Sequence, residues 1–403
     1  MKHGILRILP VIFVLFSCGE KAEDPYTHPQ REEEKDSGLP HLCIDTPSAK
    51  GITSKNEWMD GATVSLVSEK GQTTVLGTAK VKGRGNSTWT YPKKPYAFKL
   101  DAESAIMGMP AEKRWDLLAN YIDRTDMRNA IGFEIARKTK SLGWTPDGKF
   151  VELYLNSVRQ GNYFLCEHIK IDKNRLDLKE GGYILELDTN YDEEFKFKSG
   201  ILGLPVQLKD WKGDEMTAAR FAEIQKEFND IEALIVSDDR DVNGWKALVD
   251  MDSFIDWWFV YELVQCGESN HPKSSYMYRD KGGKLKAGPV WDFDWGTFRS
   301  GGEVTSFRNN KSIFYGYLFK DPAFVARVKE KWAESKADFL SVTDFIDRTA
   351  AQIEISVEFD KKKWTMTTTT NKDESLSFGE AVTTMKNNYK KHWEWMDQKI
   401  ASL

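Results

Sequence analysis

Two carboxylates stand two residues apart in Trp291-Asp292-Phe293-Asp294, with Trp295 directly behind them. On an extended backbone this spacing sends Asp292 and Asp294 to one side, and the apolar neighbours would fix them and exclude water. Paired carboxylate oxygens suit a hard divalent cation that bridges phosphates, Mg2+ above all. Taken alone, the motif reads more simply as an acidic turn among core aromatics, holding Ca2+ or nothing. The complementary charge lies upstream. From Lys80 to Leu100 the chain carries Lys80, Lys82, Arg84, Lys93, Lys94 and Lys99 and no acid. Gly83 and Gly85, in Lys82-Gly83-Arg84-Gly85-Asn86, let backbone N–H groups approach an anion. The segment is therefore a polyphosphate site or a solvated basic hairpin.

The elements that must position these residues follow from periodicity. Residues 62–67, 73–77 and 96–100 read as strands. From Trp115 the spacing turns helical through Leu117, Leu118 and Tyr121 and then Met127, Ile131 and Ile135, with Asp126 as an N-cap. Residues 150–155 and 161–167 form a hairpin through Asn156-Ser157, 182–187 a strand and 212–236 an amphipathic helix. Residues 252–266 are apolar on most sides, the mark of a buried helix. A polar loop, 267–273, follows, then short strands at 274–278 and 284–288, then the acid pair. Buried helix, polar loop, two strands and a metal-binding Asp come in the same order in protein kinases. Asp321-Pro322 starts one later helix, and 379–402 forms another.

Five motifs in sequence carry a resemblance. Lys82-Gly83-Arg84-Gly85-Asn86-Ser87-Thr88-Trp89 with Pro92-Lys93-Lys94-Pro95-Tyr96 comes first. Trp115-Asp116-Leu117-Leu118-Ala119-Asn120-Tyr121, Arg128-Asn129, Val151-Glu152-Leu153-Tyr154-Leu155-Asn156 and Trp291-Asp292-Phe293-Asp294 follow. From about residue 44 to the C-terminus the chain resembles the CotH-type (spore coat protein H) kinase family. The resemblance implies an α+β, atypical protein-kinase-like fold of two lobes: a strand-rich N-lobe over 41–190 and a helical C-lobe over 191–403, with the site between them. It implies ATP and Mg2+ (or Mn2+) as cofactors and transfer of phosphate to Ser of an unidentified protein substrate. Asp292 matches the family's metal-binding Asp, with Asp294 as a second ligand or a support. Arg84 and Lys99, and less directly Lys94, would meet the ATP phosphates. Glu167 would pair with a phosphate-binding Lys or be a plain surface acid, and Glu152 would be structural. Active members carry an Asp in the loop after the buried helix and an Asn about five residues on. Here those places fall most simply on Asn270 and Ser275, and Asn cannot accept a proton as a carboxylate does. Glu268 and His271 flank Asn270, and either could substitute. A catalytically weak pseudokinase serving as a surface scaffold is therefore the second reading. A carbohydrate-binding or adhesion surface built on Trp364 and Trp393 is the third.

The N-terminus sets the place of action. Lys2 and Arg7, then the apolar run 8–16, then Ser17-Cys18 form a secretory signal over 1–17. The run is far short of the roughly 20 apolar residues of a bilayer span. Leu15-Phe16-Ser17-Cys18 resembles a bacterial lipobox, which implies lipidation of Cys18 and anchoring at the outer membrane or cell surface. Residues 18–40 are charged and proline-containing, a flexible tether. Membrane contact is expected through the lipid alone. Loss of 1–17 takes the net charge from −5 to −7, because Lys2 and Arg7 go. That mild acidity argues against a nucleic-acid partner. Cys43, Cys166 and Cys266 cannot all pair, so one disulfide at most is possible.

Overall fold

Alternation of apolar and polar residues governs the chain from Leu42 to Leu165, and it closes a barrel. The computed structural model describes residues 36–403 except 241, 299, 301, 368 and 369. The signal segment, Cys18 and the tether up to residue 35 lie outside the described residues. Of the expected tether, Ser37, Leu39 and Pro40 are buried, so the folded part begins shortly before residue 41. The barrel strands are β1 (His41–Asp45), β2 (Met59–Val67), β3 (Thr73–Gly83), β4 (Tyr96–Ile106), β5 (Met109–Leu118), β6 (Gly148–Leu155) and β7 (Val158–Glu167). Their spatial order is β1-β2-β3-β4-β5-β7-β6, and the parallel pairing of β6 with β1 closes the ring. The inward set, including Ile44, Val64, Val81, Phe98, Trp115 and Leu165, is sealed from solvent. Full burial of each such side chain is worth roughly 1.5–3 kcal/mol.

Residues 115–118 are strand, not helix. Trp115 lies opposite Phe98, and Leu117 lies opposite Leu165. Both belong to the barrel core, so period two prevails over the weaker helical spacing. Arg114 and Asp116 are thereby left on the outer face. The chain then reverses through left-handed Asn120 (φ 51°) and Asp126 (φ 54°). The helix α1 spans Arg128–Lys138, and its N-cap is Met127 rather than Asp126. The hairpin of β6 and β7 turns at Asn156-Ser157 as the sequence indicates, both with positive φ.

A second, five-stranded antiparallel sheet faces the barrel. It holds β8 (Tyr183–Leu187), β9 (Lys196–Lys198), β10 (Pro205–Trp211), β11 (Ser275–Arg279) and β12 (Lys286–Ala287), in the order β12-β11-β8-β10-β9. Residue 190 therefore falls between two strands of one sheet. The remaining helices are α2 (Ala218–Val236), α3 (Trp245–Leu248), α4 (Met251–Leu263), α5 (Tyr315–Leu318), α6 (Pro322–Leu340), α7 (Val342–Lys363) and α8 (Phe378–Ala401). The C-terminal part is thus largely helical. α4 is buried on all sides, as its composition requires, and Asp250 caps it by accepting from Ser253 N. Asp321 and Pro322 cap and open α6.

Trp364 donates to Gln160 O at 2.7 Å and Trp393 to Lys336 O at 2.9 Å. Both indoles are thus engaged in packing, as core aromatics are. Cys43, Cys166 and Cys266 are all buried. No helix among the described residues is long and apolar enough to cross a membrane.

Candidate functional site

The outer face of β3 and β5 forms one wall of a cleft of about 360 Å3. Lys82 and Arg84 project from the end of β3 and Arg114 from β5, because their neighbours Val81 and Trp115 point into the barrel. Asp116 is buried on the same side of β5, next to Arg84. It accepts from the His168 ring, Nδ1 to Oδ2 2.8 Å, and lies 3.5 Å from Arg84 Nε. Burial alone would raise the Asp116 carboxyl, but Arg84 and then His168 hold it below the usual carboxylate range. Burial pushes His168 down to about 4, against the pull of Asp116. The imidazole is therefore neutral near pH 7 and donates Nδ1–H to a charged Asp116.

The opposite wall comes from the second sheet and the loops after α4. Glu186 on β8 accepts from Tyr276 OH at 2.7 Å and pairs with Lys209 at 3.0 Å. Asp188 accepts from the backbone N–H of Asn190 and of Ser274, which pins the start of β11. Three further carboxylates, Glu268, Asp292 and Asp294, line the floor. All three are raised by burial first. Asp292 is partly pulled back by Arg84, Asp294 is raised further by Asp292, and Glu268 reaches about 10 with Asp292 and Asp294 adding to burial. Glu268 is 6% exposed, and its Oε2 has no hydrogen-bond partner. Buried negative charge of this kind calls for a cation or for protons.

The acid loop is held from several directions. Asp292 itself is left-handed, φ 69°, an uncommon state for a residue with a Cβ. Phe293 N donates to Asn129 Oδ1 at 2.8 Å, and Asn129 Nδ2 donates to Asn120 Oδ1 at 3.3 Å. Tyr261 of α4 donates its hydroxyl to Trp291 O at 3.0 Å, and Asn371 donates to Asp294 O at 3.0 Å. The Phe293 ring lies so close to α1 that a Cβ on Gly132 would sit 2.2 Å from it. Arg128, next to Asn129, is fully buried and paired with Asp123 and Asp373. On the far side, Lys93 lines the cleft and pairs with Asp360 of α7, which ties the basic loop to the helical part.

Of the residues singled out from sequence, Arg84, Asp292 and Asp294 meet in this cleft. The other four do not line it. Lys94 turns away to donate to Trp89 O at 2.8 Å. Lys99 is exposed on β4, between Lys80 and Arg114. Glu167 is committed to Arg175 at 2.8 Å and to Asp147 N at 2.9 Å. Asn270 donates to Gly267 O and Arg308 O and lines a separate shallow depression. The tight turn Glu268–Asn270 sends Glu268 inward and Asn270 outward, so Glu268 is the loop's acid in the cleft. Arg114, His168, Glu186, Asp188 and Lys209 were not marked by any motif. Strand alternation around Trp115 was the signal available for Arg114.

Residues 81–402 match the family described as CotH kinase protein. The chain belongs to the CotH kinase protein family. No individually curated protein matches the sequence. Membership implies a kinase-like fold and the use of a nucleotide, and the matched span contains both cleft walls except Lys55 and Asn56. Among the described residues, no three His, Cys, Asp or Glu side chains converge as a ready metal cage. The donor chemistry nonetheless fits Mg2+: the floor offers carboxylate oxygens, and Glu268 Oε2 is buried without a partner.

Proposed function

We propose that this CotH kinase family protein is an exported phosphotransferase that moves the γ-phosphoryl group of Mg·ATP to a hydroxyl of a protein substrate. The observation that carries the reading is buried Glu268, whose Oε2 has no hydrogen-bond partner, lining the cleft with Asp292 and Asp294, together with Lys82, Arg84 and Arg114. Asp292 and Asp294 would hold Mg2+ (or Mn2+), which supplies charge neutralisation at the phosphates. Lys82, Arg84 and Arg114 bind the phosphate oxygens and orient the chain for in-line transfer. Glu268 is the acid of this loop placed in the cleft, where it would exchange a proton with the acceptor hydroxyl. The expected base position moves from Asn270 to Glu268. Export and the lipid anchor at Cys18 belong to the same reading and rest on residues 1–18.

Turnover of Mg·ATP to ADP by the full chain tests the assignment. Glu268→Gln is expected to lower turnover by about 100-fold with Mg·ATP binding kept, while Asn270→Ala stays close to wild type. Mg·ATP binding without any turnover in the wild type would instead support the pseudokinase reading.

A further inference from the structure

The polar loop after α4 has a second face. Glu268 lines the cleft, and Asn270, two residues on, lines a depression of about 640 Å3. Residues of 305–311 and of the end of α8 complete its walls. No Asp or Glu belongs to the described lining, whereas Arg308, Lys311 and Lys399 do. Lys311 and Lys399 are exposed, and neither is in an ion pair among the described residues. Glu303, just outside, accepts from Thr305 Oγ1 at 2.5 Å. In a chain of net charge −5 this is a local reversal of sign.

The floor is aromatic. Phe307 and Trp395 are half-buried, with ring centres 4.8 Å apart and edge to face. Phe307 also packs on Trp258 of α4, centre to centre 5.2 Å, which anchors it to the core. Trp395 and Lys399 are four residues apart on α8 and so share one face.

The depression is held in register with the acids of the cleft. Glu262, at the end of α4, accepts from Arg308 N at 2.7 Å and from Asn309 N at 2.8 Å. The adjacent Tyr261 donates to Trp291 O, so one helix end fixes this loop and the acid loop together. Asn270 Nδ2 donates to Arg308 O at 3.2 Å. The Arg308 side chain spans both loops. Its Nη1 donates to Gly296 O at 3.4 Å, and its Nη2 lies so near Gly267 that a Cβ there would be 2.6 Å away. Depression and cleft thus meet across the Glu268–Asn270 turn and residues 294–296.

We propose that this depression is the docking surface for the acceptor polypeptide and that it takes an acidic segment. An apolar side chain sits on Phe307 and Trp395, and carboxylates face Arg308, Lys311 and Lys399. The inference rests on the phosphotransferase reading and adds a substrate class to it: a hydroxyl residue carried next to Asp or Glu. Charge complementarity selects the partner. Aromatic and Arg side chains are the types on which protein interfaces concentrate their energy, and a surface fixed beforehand avoids part of the ordering cost of binding.

Fluorescence anisotropy on the full chain, without nucleotide, tests this with a labelled peptide of one Ser among Glu and Leu residues. Matched peptides carry Lys for Glu or Gly for Leu. Wild type is expected to bind the Glu–Leu peptide, more weakly as salt rises, and to bind both matched peptides less well. Lys311→Glu and Lys399→Glu should each weaken the Glu–Leu peptide about fivefold. Lys226→Glu, the same charge change at an exposed site on α2, should leave it near wild type. Calorimetric binding of Mg·ATP is measured separately and decides the nucleotide reading. Equal affinity for the Glu and Lys peptides, or an equal loss in Lys226→Glu, overturns the docking surface and leaves the nucleotide reading standing where Mg·ATP binds. Glu–Leu peptide binding without Mg·ATP binding supports the surface and overturns the phosphotransferase reading. Binding of phosphatidylglycerol vesicles with no binding of the peptide overturns the docking surface in favour of a membrane contact.

Discussion

Asn129 accepts the backbone N–H of Phe293 at 2.8 Å, which ties the first turn of α1 to the middle of the acid loop 164 residues later. Two of the motifs that carry the family resemblance are thus one structural unit. Through that bond Asn129 helps set where Asp292 and Asp294 stand. Asn129→Ala leaves a buried N–H unpaired, a loss of about 1–3 kcal/mol. Gly132→Ala forces the Phe293 ring aside, an overpacking cost of about 1–3 kcal/mol. Both variants are expected to lower the urea midpoint and to weaken Mg·ATP binding. Unchanged binding in the two variants would show that the acid loop does not depend on α1.

His168 gives a pH signature with a definite sign. Its folded-state pKa is lowered to about 4 by burial, against about 6.5 in an unfolded chain. Its contribution is complete above pH 6.5 and is lost as pH falls from there through about 4, because only the unfolded chain takes up the proton. His168→Asn keeps a donor toward Asp116 and removes the titration. The stability difference between wild type and His168→Asn, from urea unfolding at several pH values, should shrink steadily on acidification across that window. A constant or widening difference would contradict the neutral, buried imidazole.

Much of this architecture is readable from residue order, and the exceptions are instructive. The alternation in β6 and β7, the all-round apolar α4 and the Asp321-Pro322 start of α6 each state their structure locally. Trp115-Asp116-Leu117-Leu118 does not. Its apolar residues fit a helix or a strand, and only Phe98 and Leu165, distant in sequence, decide for the strand. The candidate site divides the same way. Asp292, Asp294 and Arg84 sit in recognisable motifs and do share the cleft. Lys99 alternates onto the outer barrel face as a strand residue should, but it stays exposed beside Arg114 and does not line the cleft. The choice between Glu268 and Asn270 turns on one tight turn, which sends these two side chains to opposite sides and leaves no trace in spacing.

Anchoring is testable apart from the fold. If Cys18 follows the lipobox logic, a clickable fatty-acid analogue fed to the cells is incorporated into the wild-type chain and not into Cys18→Ser, and the variant leaves the membrane fraction. Labelling that survives Cys18→Ser would place the lipid elsewhere, and absence of labelling in the wild type would remove the anchor.

If the protein is exported as proposed it meets little ATP, so its affinity for the nucleotide decides whether it can act as a kinase. The most direct measurement is calorimetric binding of ATP to the full chain with and without Mg2+, for wild type and Asp292→Ala. Wild type is expected to bind ATP only with Mg2+, and Asp292→Ala is expected to lose that binding. A wild type that binds no Mg·ATP, or an Asp292→Ala variant that binds it equally well, would contradict the kinase reading.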